Sequence, residues 1–427
     1  MTLRFVLALF PLLAPAGPLR LAHDGWRLWS HRPATAPRVY VDATITRTGQ
    51  GSLAVSGNNN AAAHGGWEQT VDQIEGGKWY RFSAYFRSQG VTDPVWQILP
   101  RLDWRRRDGK RVGQPEYVYQ TKQEGDWTRT WVEVQSPAGA SSVTVQLYLS
   151  HAPAGIVWWD EVRIEEIPAL KPRQVRIAAI NLRPSGIKSR EQGVEEFVRA
   201  VDRAAPGPFD LLLFPEGMTV VGSSKGYVEV SEAVPGPTTV RLGELARQRN
   251  SWIVAGIYES EGGAVYNTAV LLDRRGRLAG KYRKVYLPRE EYERGLTPGN
   301  AFPVFDTDFG RLGIMICYDV FFADPAKALT AQGAEIIALP IWGGDETLAK
   351  ARAIENRIFL VTSGYDHPTY IMDPDGERIS LAHTRGEAAI ATIDLNRRYL
   401  HPHLGDMRAR RAKEMRTDVL IPAPRMP

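Results

Sequence analysis

The residue pattern of this chain changes its period once, at Pro168-Ala-Leu-Lys-Pro172, and that change constrains the fold more than any other feature. Before it, side chains alternate polar and apolar, as in Trp79-Tyr-Arg-Phe-Ser-Ala-Tyr-Phe and Ser142-Val-Thr-Val-Gln-Leu-Tyr-Leu. Clusters such as Gly57-Asn-Asn-Asn separate these runs. A period of two broken by turn residues predicts short antiparallel strands and an all-β sandwich. Ten of the 12 tryptophans also lie before Pro168, and only Trp252 and Trp342 follow it. After the break, apolar runs alternate with helical patterns. Val175–Ile180, Asp210–Phe214, Ser251–Ile257, Tyr266–Leu272, Gly313–Cys317, Glu335–Leu339 and Phe359–Thr362 read as strands. Between them, Val194, Phe197, Val198 and Val201 recur at i, i+3, i+4 and i+7, the stripe of a helix with one buried face. Pro237–Asn250, Pro325–Gln332 and Leu348–Ile358 read as further helices. Strands alternating with helices predict a layered α/β domain.

Composition narrows the class. With 43% hydrophobic and 24% charged residues, the 427-residue chain is neither disordered nor fibrous, and it is long enough for two domains with real cores. The net charge of +5 is too small to indicate nucleic acid, and it is localised. From Asn396 to Pro427 eight Arg and Lys face three acids, which accounts for the whole excess. A solitary cysteine, Cys317, rules out an intrachain disulfide and a thiolate-rich metal site. The N-terminus combines Arg4, the apolar run from Phe5 and Ala14-Pro-Ala16, a positive flank, short hydrophobic core and small-x-small site that predict a secretory signal over residues 1–16. The expected layout is therefore a signal peptide (1–16), a β-sandwich (17–168), a linker (169–172), a layered α/β domain (173–400) and a basic arm (401–427), in a secreted or periplasmic protein.

Three segments carry chemistry: Phe214-Pro-Glu216, Lys281-Tyr-Arg-Lys284, and Gly313-Ile-Met-Ile-Cys317-Tyr318-Asp319. The first places an acid, and the third a thiol, where an apolar strand stops, and in layered α/β proteins functional groups gather beyond the carboxyl ends of strands. A thiol near pKa 8.5 is mostly protonated at neutral pH, so a nearby carboxylate to take the proton and an ammonium to favour the anion make chemical sense.

This ordered Glu–Lys–Cys set resembles the nitrilase superfamily of carbon–nitrogen hydrolases over about Arg173–Asn396. Supporting matches are Tyr292-Glu293-Arg-Gly-Leu-Thr-Pro-Gly299, Phe305–Gly310, Arg352-Ala-Ile-Glu355-Asn356 and Asp373-Pro-Asp-Gly376. The resemblance implies a four-layer α-β-β-α sandwich and a non-peptide amide-type small molecule as substrate. It also implies roles: Cys317 as nucleophile, Glu216 as general base and acid, and Lys284 with the Tyr318 backbone N–H as oxyanion donors, each donor worth about 3–4 kcal/mol. Family members often add a second glutamate after the lysine. Glu293 matches best, with Glu290 and Glu291 open because the spacing to Gly299 is one residue short. Tyr318-Asp319 after the cysteine resembles the amidase and carbamoylase branches, and Trp342 is expected to line the pocket.

No phosphate-binding glycine loop, dinucleotide fingerprint or metal-ligand cluster is present in the sequence, so the chemistry needs no cofactor and no metal. A cysteine–histidine pair with His367 or His383 lacks the papain-type local signature. In the first region, Gly125-Asp-Trp127, Val143–Leu147 and Val157-Trp-Trp-Asp-Glu-Val162 resemble galactose-binding-like, carbohydrate-binding jelly rolls. That resemblance makes polysaccharide a candidate partner, with Trp96 or Trp104 suspected of exposure and Trp79, Trp131, Trp158 and Trp159 expected in the core. Arg105–Arg107 suggests an acidic polymer instead. The tail resembles arms that family members use at subunit interfaces, so a homo-oligomer is expected. Competing readings are an N-carbamoyl hydrolase, an acyltransferase using the same thioester, and a non-catalytic glycan-binding protein.

Overall fold

The computed structural model describes residues 19–21 and 23–419; the expected signal segment 1–16 lies outside the described residues. The chain divides between Leu170 and Lys171 into two compact units. The first takes the residues up to Leu170 together with those from Leu400 onward, and the second is Lys171–Tyr399.

In the first unit, all paired strands are antiparallel. They form one seven-stranded and one five-stranded sheet that enclose a shared core. The alternation that predicted strands explains why. Along Trp79–Gln89, Tyr80, Phe82, Ala84 and Phe86 point inward, while their neighbours stay half-exposed. Along Ser142–Ser150, Val143, Val145, Leu147 and Leu149 supply the facing half of the core. Trp158 and Trp159 are buried as expected. Trp104 is a correction: suspected of exposure, it is fully buried in that core. Trp79 and Trp131, expected inside, occupy the alternate pleat and are only half-buried. The outer face of the five-stranded sheet is covered as well. The C-terminal helix Met407–Glu414 sets Ala409 against Leu99, Tyr117 and Tyr148, so this part of the segment expected as a subunit-interface arm packs within the unit itself.

The second unit contains two six-stranded mixed sheets. In the first sheet the strand order is Leu278–Arg283, Ala264–Leu272, Trp252–Glu261, Leu211–Leu213, Gln174–Ile180, Ala388–Asp394. In the second it is Val304–Asp306, Arg311–Ile314, Ile336–Pro340, Phe359–Ser363, Tyr370–Met372, Arg378–Leu381. Both faces of each central strand are buried, which is why these segments read as unbroken apolar runs. Val175, Ile177, Leu211 and Leu213 meet Leu312, Ile314, Ile336 and Val361 between the sheets. The opposite pleats, such as Ala178 and Leu212, pack under the helices Arg190–Ala204 and Pro237–Arg249. On the second sheet, Ile337, Leu339 and Leu360 pack under Asp324–Ala331 and Glu346–Asn356. The layers thus run helix, sheet, sheet, helix.

Parallel pairing positions the site. Gln174–Ile180, Leu211–Leu213 and Trp252–Glu261 run parallel, as do Arg311–Ile314, Ile336–Pro340 and Phe359–Ser363. Within each sheet, the residues that follow these strands emerge at one edge.

Candidate active site

Glu216 lies just beyond Leu211–Leu213, two residues after Phe214, and is 2% exposed. Gly256 on the neighbouring strand allows this approach: a Cβ there would lie 2.5 Å from the Glu216 Cα. Lys284 follows the strand Leu278–Arg283 and is 1% exposed. Its backbone is pinned by its N–H donating to Asn267 O at 2.9 Å. Its Nζ donates to Glu216 Oε1 and to Glu291 Oε1, each at 3.0 Å. Asn267 Nδ2 donates to the same two oxygens at 2.7 and 2.9 Å. An amide and an ammonium therefore bridge two carboxylates out of contact with water.

Cys317 is not the last residue of a strand, as the apolar run suggested. The strand stops at Ile314 and Cys317 opens the 3-10 turn Cys317–Phe321. Its φ is +43°, left-handed and unfavourable for a residue with a side chain. Strain of this kind persists only where the surroundings hold it, and it clusters at functional sites. Asp319 does much of the holding. It accepts from Ile316 N–H at 2.8 Å, Tyr286 N–H at 3.0 Å and Tyr282 Oη at 2.8 Å. The thiol donates to Gly343 O at 3.2 Å.

The electrostatics join the sulfur to the acid–amine cluster. Burial and then the Glu216 charge push the Cys317 thiol up to about 12, while Lys284 acts in the opposite direction. Burial pushes the Lys284 ammonium down, but Glu216, Cys317 and Glu291 outweigh it, so the lysine stays protonated well above its ordinary range. Burial raises the Glu291 carboxyl against the pull of Lys284. Burial also pushes the Asp319 carboxyl up to about 6 despite its three hydrogen bonds. Glu216 Oε2 has no hydrogen-bond partner and stays free to accept a proton.

The structure thus brings Glu216, Lys284 and Cys317 into one electrostatic cluster, and leaves out Glu293. That residue is a correction: its carboxylate is 58% exposed and paired to Arg289 at 2.6 Å. Glu291, two residues earlier on the short helix Arg289–Glu293, turns inward instead. Tyr318 is half-buried beside Cys317, its ring 5.2 Å from Phe321 and 5.5 Å from Phe322. Trp342 is half-buried next to Gly343, the residue that accepts the thiol. Neither histidine of the rival pair is joined to Cys317. His367 Nδ1 lies 2.9 Å from Pro368 O, and His383 is exposed. Among the described residues, no group of three His, Cys, Asp or Glu could hold a metal ion.

Comparison with known proteins decides the family. Residues 176–401, more than half of the chain, match the profile described as "Carbon-nitrogen hydrolase". The chain belongs to this family. It is 29% identical over 249 residues to human omega-amidase NIT2, covering 52% of this chain and 89% of that protein. To a nitrilase of Pyrococcus abyssi it is 31% identical over 240 residues, covering 52% and 90%. A solved amidase structure from Nesterenkonia sp. is 25% identical, with a TM-score of 0.47, covering 54% and 95%.

This carbon–nitrogen hydrolase holds two site residues that sequence reasoning missed. Asn267, fully buried, gave one signal: a polar side chain in the middle of the apolar run Tyr266–Leu272. Asp319 was noted only as a branch marker, although a carboxylate two residues past a strand-end cysteine is placed to collect the backbone N–H groups of that turn.

Proposed function

We propose that this carbon–nitrogen hydrolase is an amidase that works through a Cys317 thioester. The observation that carries the reading is the buried Glu216–Lys284–Glu291–Asn267 cluster acting on a strained cysteine. A thiol held at about 12 is not a resting thiolate, so its proton must leave as the sulfur attacks. Glu216 takes that proton, and the sulfur adds to the amide carbonyl carbon. Lys284 has three N–H donors, of which two go to Glu216 and Glu291, so one remains for the developing oxyanion. The Tyr318 N–H is the second donor. Glu216 then protonates the leaving nitrogen, the C–N bond breaks, and ammonia or an amine departs. Water gives its proton to Glu216 and attacks the thioester, and the returning proton restores the thiol and frees the acid. Glu291 and Asn267 hold Lys284 and Glu216 in place. Tyr318 and Trp342, both half-buried beside Cys317 and Gly343, are the side chains read as substrate-binding.

The relatives' names, omega-amidase among them, support an amide as substrate. An ammonia-release screen over aliphatic amides, amino-acid amides, N-carbamoyl compounds and nitriles tests this. Release from amides is expected; release from N-carbamoyl compounds alone would move the enzyme to the carbamoylase reading, and release from nitriles alone would overturn it. Partition of the thioester to hydroxylamine would reveal acyl transfer.

The N-terminal residues 1–16 support export to the periplasm or medium. The two-sheet first unit supports the galactose-binding-like reading, in which it retains the enzyme on polysaccharide. Retention of the full-length protein on immobilised glycans tests that role, and flow-through rejects it for the polymers used. Homo-oligomerisation is tested by light scattering.

A further inference from the structure

The outer face of the five-stranded sheet has two halves. One is apolar, where Leu99, Tyr117 and Tyr148 pack against Ala409 of the C-terminal helix. The other is polar, and the register explains it. Val71, Trp104 and Val143 turn into the core, so Thr70, Asp103, Ser142 and Thr144 on the alternate pleat point outward. Thr70 and Thr144 stand side by side, their hydroxyl oxygens 3.3 Å apart. This polar half opens into a cleft of about 640 Å³ within the first unit.

The walls of the cleft carry four arginines, Arg27, Arg105, Arg106 and Arg107, against two acids, Glu68 and Asp72. Glu68 is 4% exposed and already occupied, since its carboxylate accepts from Gln146 Nε2 at 2.8 Å and from the Tyr148 hydroxyl. Arg105 is tied to the fully buried Asp103, which Arg111 also holds. Arg106 and Arg107 differ. Both are exposed on the turn after the strand Ile98–Arg105, and among the described residues neither forms an ion pair. The turn itself is fixed: Arg106 N–H donates to Lys110 O at 2.8 Å, and Gly109 N–H to Arg106 O at 2.9 Å. Two adjacent cations are therefore presented at the cleft from a pinned backbone.

The remaining wall is mostly hydroxyl, from Thr70, Ser141, Ser142 and Thr144. Among the described residues, Ile74 is the one large apolar side chain that lines the cleft, and no aromatic ring does. Ligand sites of this size are ordinarily lined by apolar and aromatic side chains. Here a sugar has no ring face to stack on, so recognition must come from charge and hydrogen bonds.

We propose that this cleft binds an acidic polysaccharide, with Arg106 and Arg107 pairing with the carboxylates of its uronate residues. This rests on the polysaccharide reading of the first unit and replaces a neutral glycan by a charged one. The planar fork of a guanidinium matches a carboxylate through two parallel hydrogen bonds. A polymer presents successive carboxylates to both arginines, whereas a small anion engages one. The side-chain hydroxyls both donate and accept, as sugar hydroxyls do, so Thr70, Ser142 and Thr144 complement the rest of the uronate ring.

The test measures binding of the full-length protein to polygalacturonate and to alginate, each beside its own methyl ester, by calorimetry at about 0.15 M salt. The ester keeps the sugar ring and removes the charge. The free acid is expected to bind at least about tenfold tighter, the effect of charge-assisted hydrogen bonds. Arg106→Gln combined with Arg107→Gln should abolish that difference. Both side chains are exposed, so an unshifted melting temperature is expected to accompany the loss and separates it from misfolding. Polyglutamate, of like charge but without sugar hydroxyls, should bind at least about tenfold more weakly than the uronates, and equal affinity would overturn the saccharide in favour of an acidic protein. Equal binding of acid and ester, or a difference that survives the double substitution, overturns the charged cleft and leaves retention on polysaccharide standing. Flow-through of acidic and neutral glycans alike overturns both readings together.

Discussion

Cys317 shows how the site separates the power to react from the state at rest. Its thiol, pushed up to about 12, stays protonated, and in the proposed mechanism Glu216, with one unpartnered oxygen, removes the proton. Alkylation by iodoacetamide should therefore depend on the acid. Glu216→Gln is expected to slow modification of native Cys317 at least about tenfold, and unchanged labelling would remove Glu216 as the base. The accessory glutamate is decided the same way. Glu291→Gln should lower kcat about tenfold to a hundredfold by loosening Lys284, whereas Glu293→Gln, on an exposed pair with Arg289, should stay within about twofold. The reverse order in steady-state rates would reinstate Glu293. Asp319 adds a dependence on pH. Its carboxyl is raised from 3.8 to about 6, so between about pH 4 and pH 6 the folded state holds a proton that the unfolded chain has released. Stability contributed there falls as pH rises. Asp319→Asn should be less stable overall, and its urea midpoint should be flatter across that window. At this scale Glu216, Lys284 and Cys317 were legible because each closes or follows a strand. Glu291 was not: three glutamates share five helical residues, and which one turns inward depends on a rotation of about 100° per residue that the pattern leaves free.

Strands and helices of the second unit were legible wherever both faces or one stripe were buried. The helix expected over Pro237–Asn250 is Pro237–Arg249, with Asn250 in the left-handed conformation that ends it. Less legible was the point where a strand gives way to a turn. The apolar run through Cys317 continues past the last ladder hydrogen bonds because Met315 and Ile316 are still buried, one in each core layer. Periodicity records burial, not pairing, so the left-handed turn stayed hidden. Close approach between elements was equally silent, and it yields a prediction. Gly256 lies under the Pro215–Glu216 backbone, and a Cβ would stand 2.5 Å from the Glu216 Cα and 2.8 Å from Pro215 O. Backbone cannot swing away as a flexible side chain does. Gly256→Ala should destabilise the second unit by about 1–3 kcal/mol and displace Glu216, lowering kcat well beyond what the stability loss explains. Urea denaturation and steady-state kinetics on one preparation separate the two effects. A variant with wild-type kcat would mean that this contact does not position Glu216.

At the scale of the whole chain, the break at Pro168–Pro172 was visible as a change of period, but the path of the C-terminus was not. The tail was expected as a basic arm at a subunit interface, since charge density is easier to read from sequence than the few apolar contacts that dock a short helix. In the structure Ala409 is buried against Leu99, Tyr117 and Tyr148, Arg410 lies over Tyr117, and Arg416 lies over Trp96 at 4.4 Å. Lys413 is 7% exposed, and burial pushes its ammonium down to about 8. A long cationic side chain is buried in this way only where its stem covers apolar surface. The segment 400–419 thus completes the first unit, not the hydrolase unit that precedes it in sequence. Removing residues 400–427 should therefore uncover the outer face of the five-stranded sheet and lower the melting temperature of the first unit by several degrees, about 1 kcal/mol or more. The residues of the candidate catalytic site all lie within Lys171–Tyr399, so ammonia release should persist at temperatures below that transition. Ten of the 12 tryptophans belong to the first unit, so intrinsic fluorescence reports its unfolding separately from activity. Loss of activity in step with the early fluorescence change would show that hydrolysis requires an intact first unit; an unshifted fluorescence transition would show that the tail adds nothing to it.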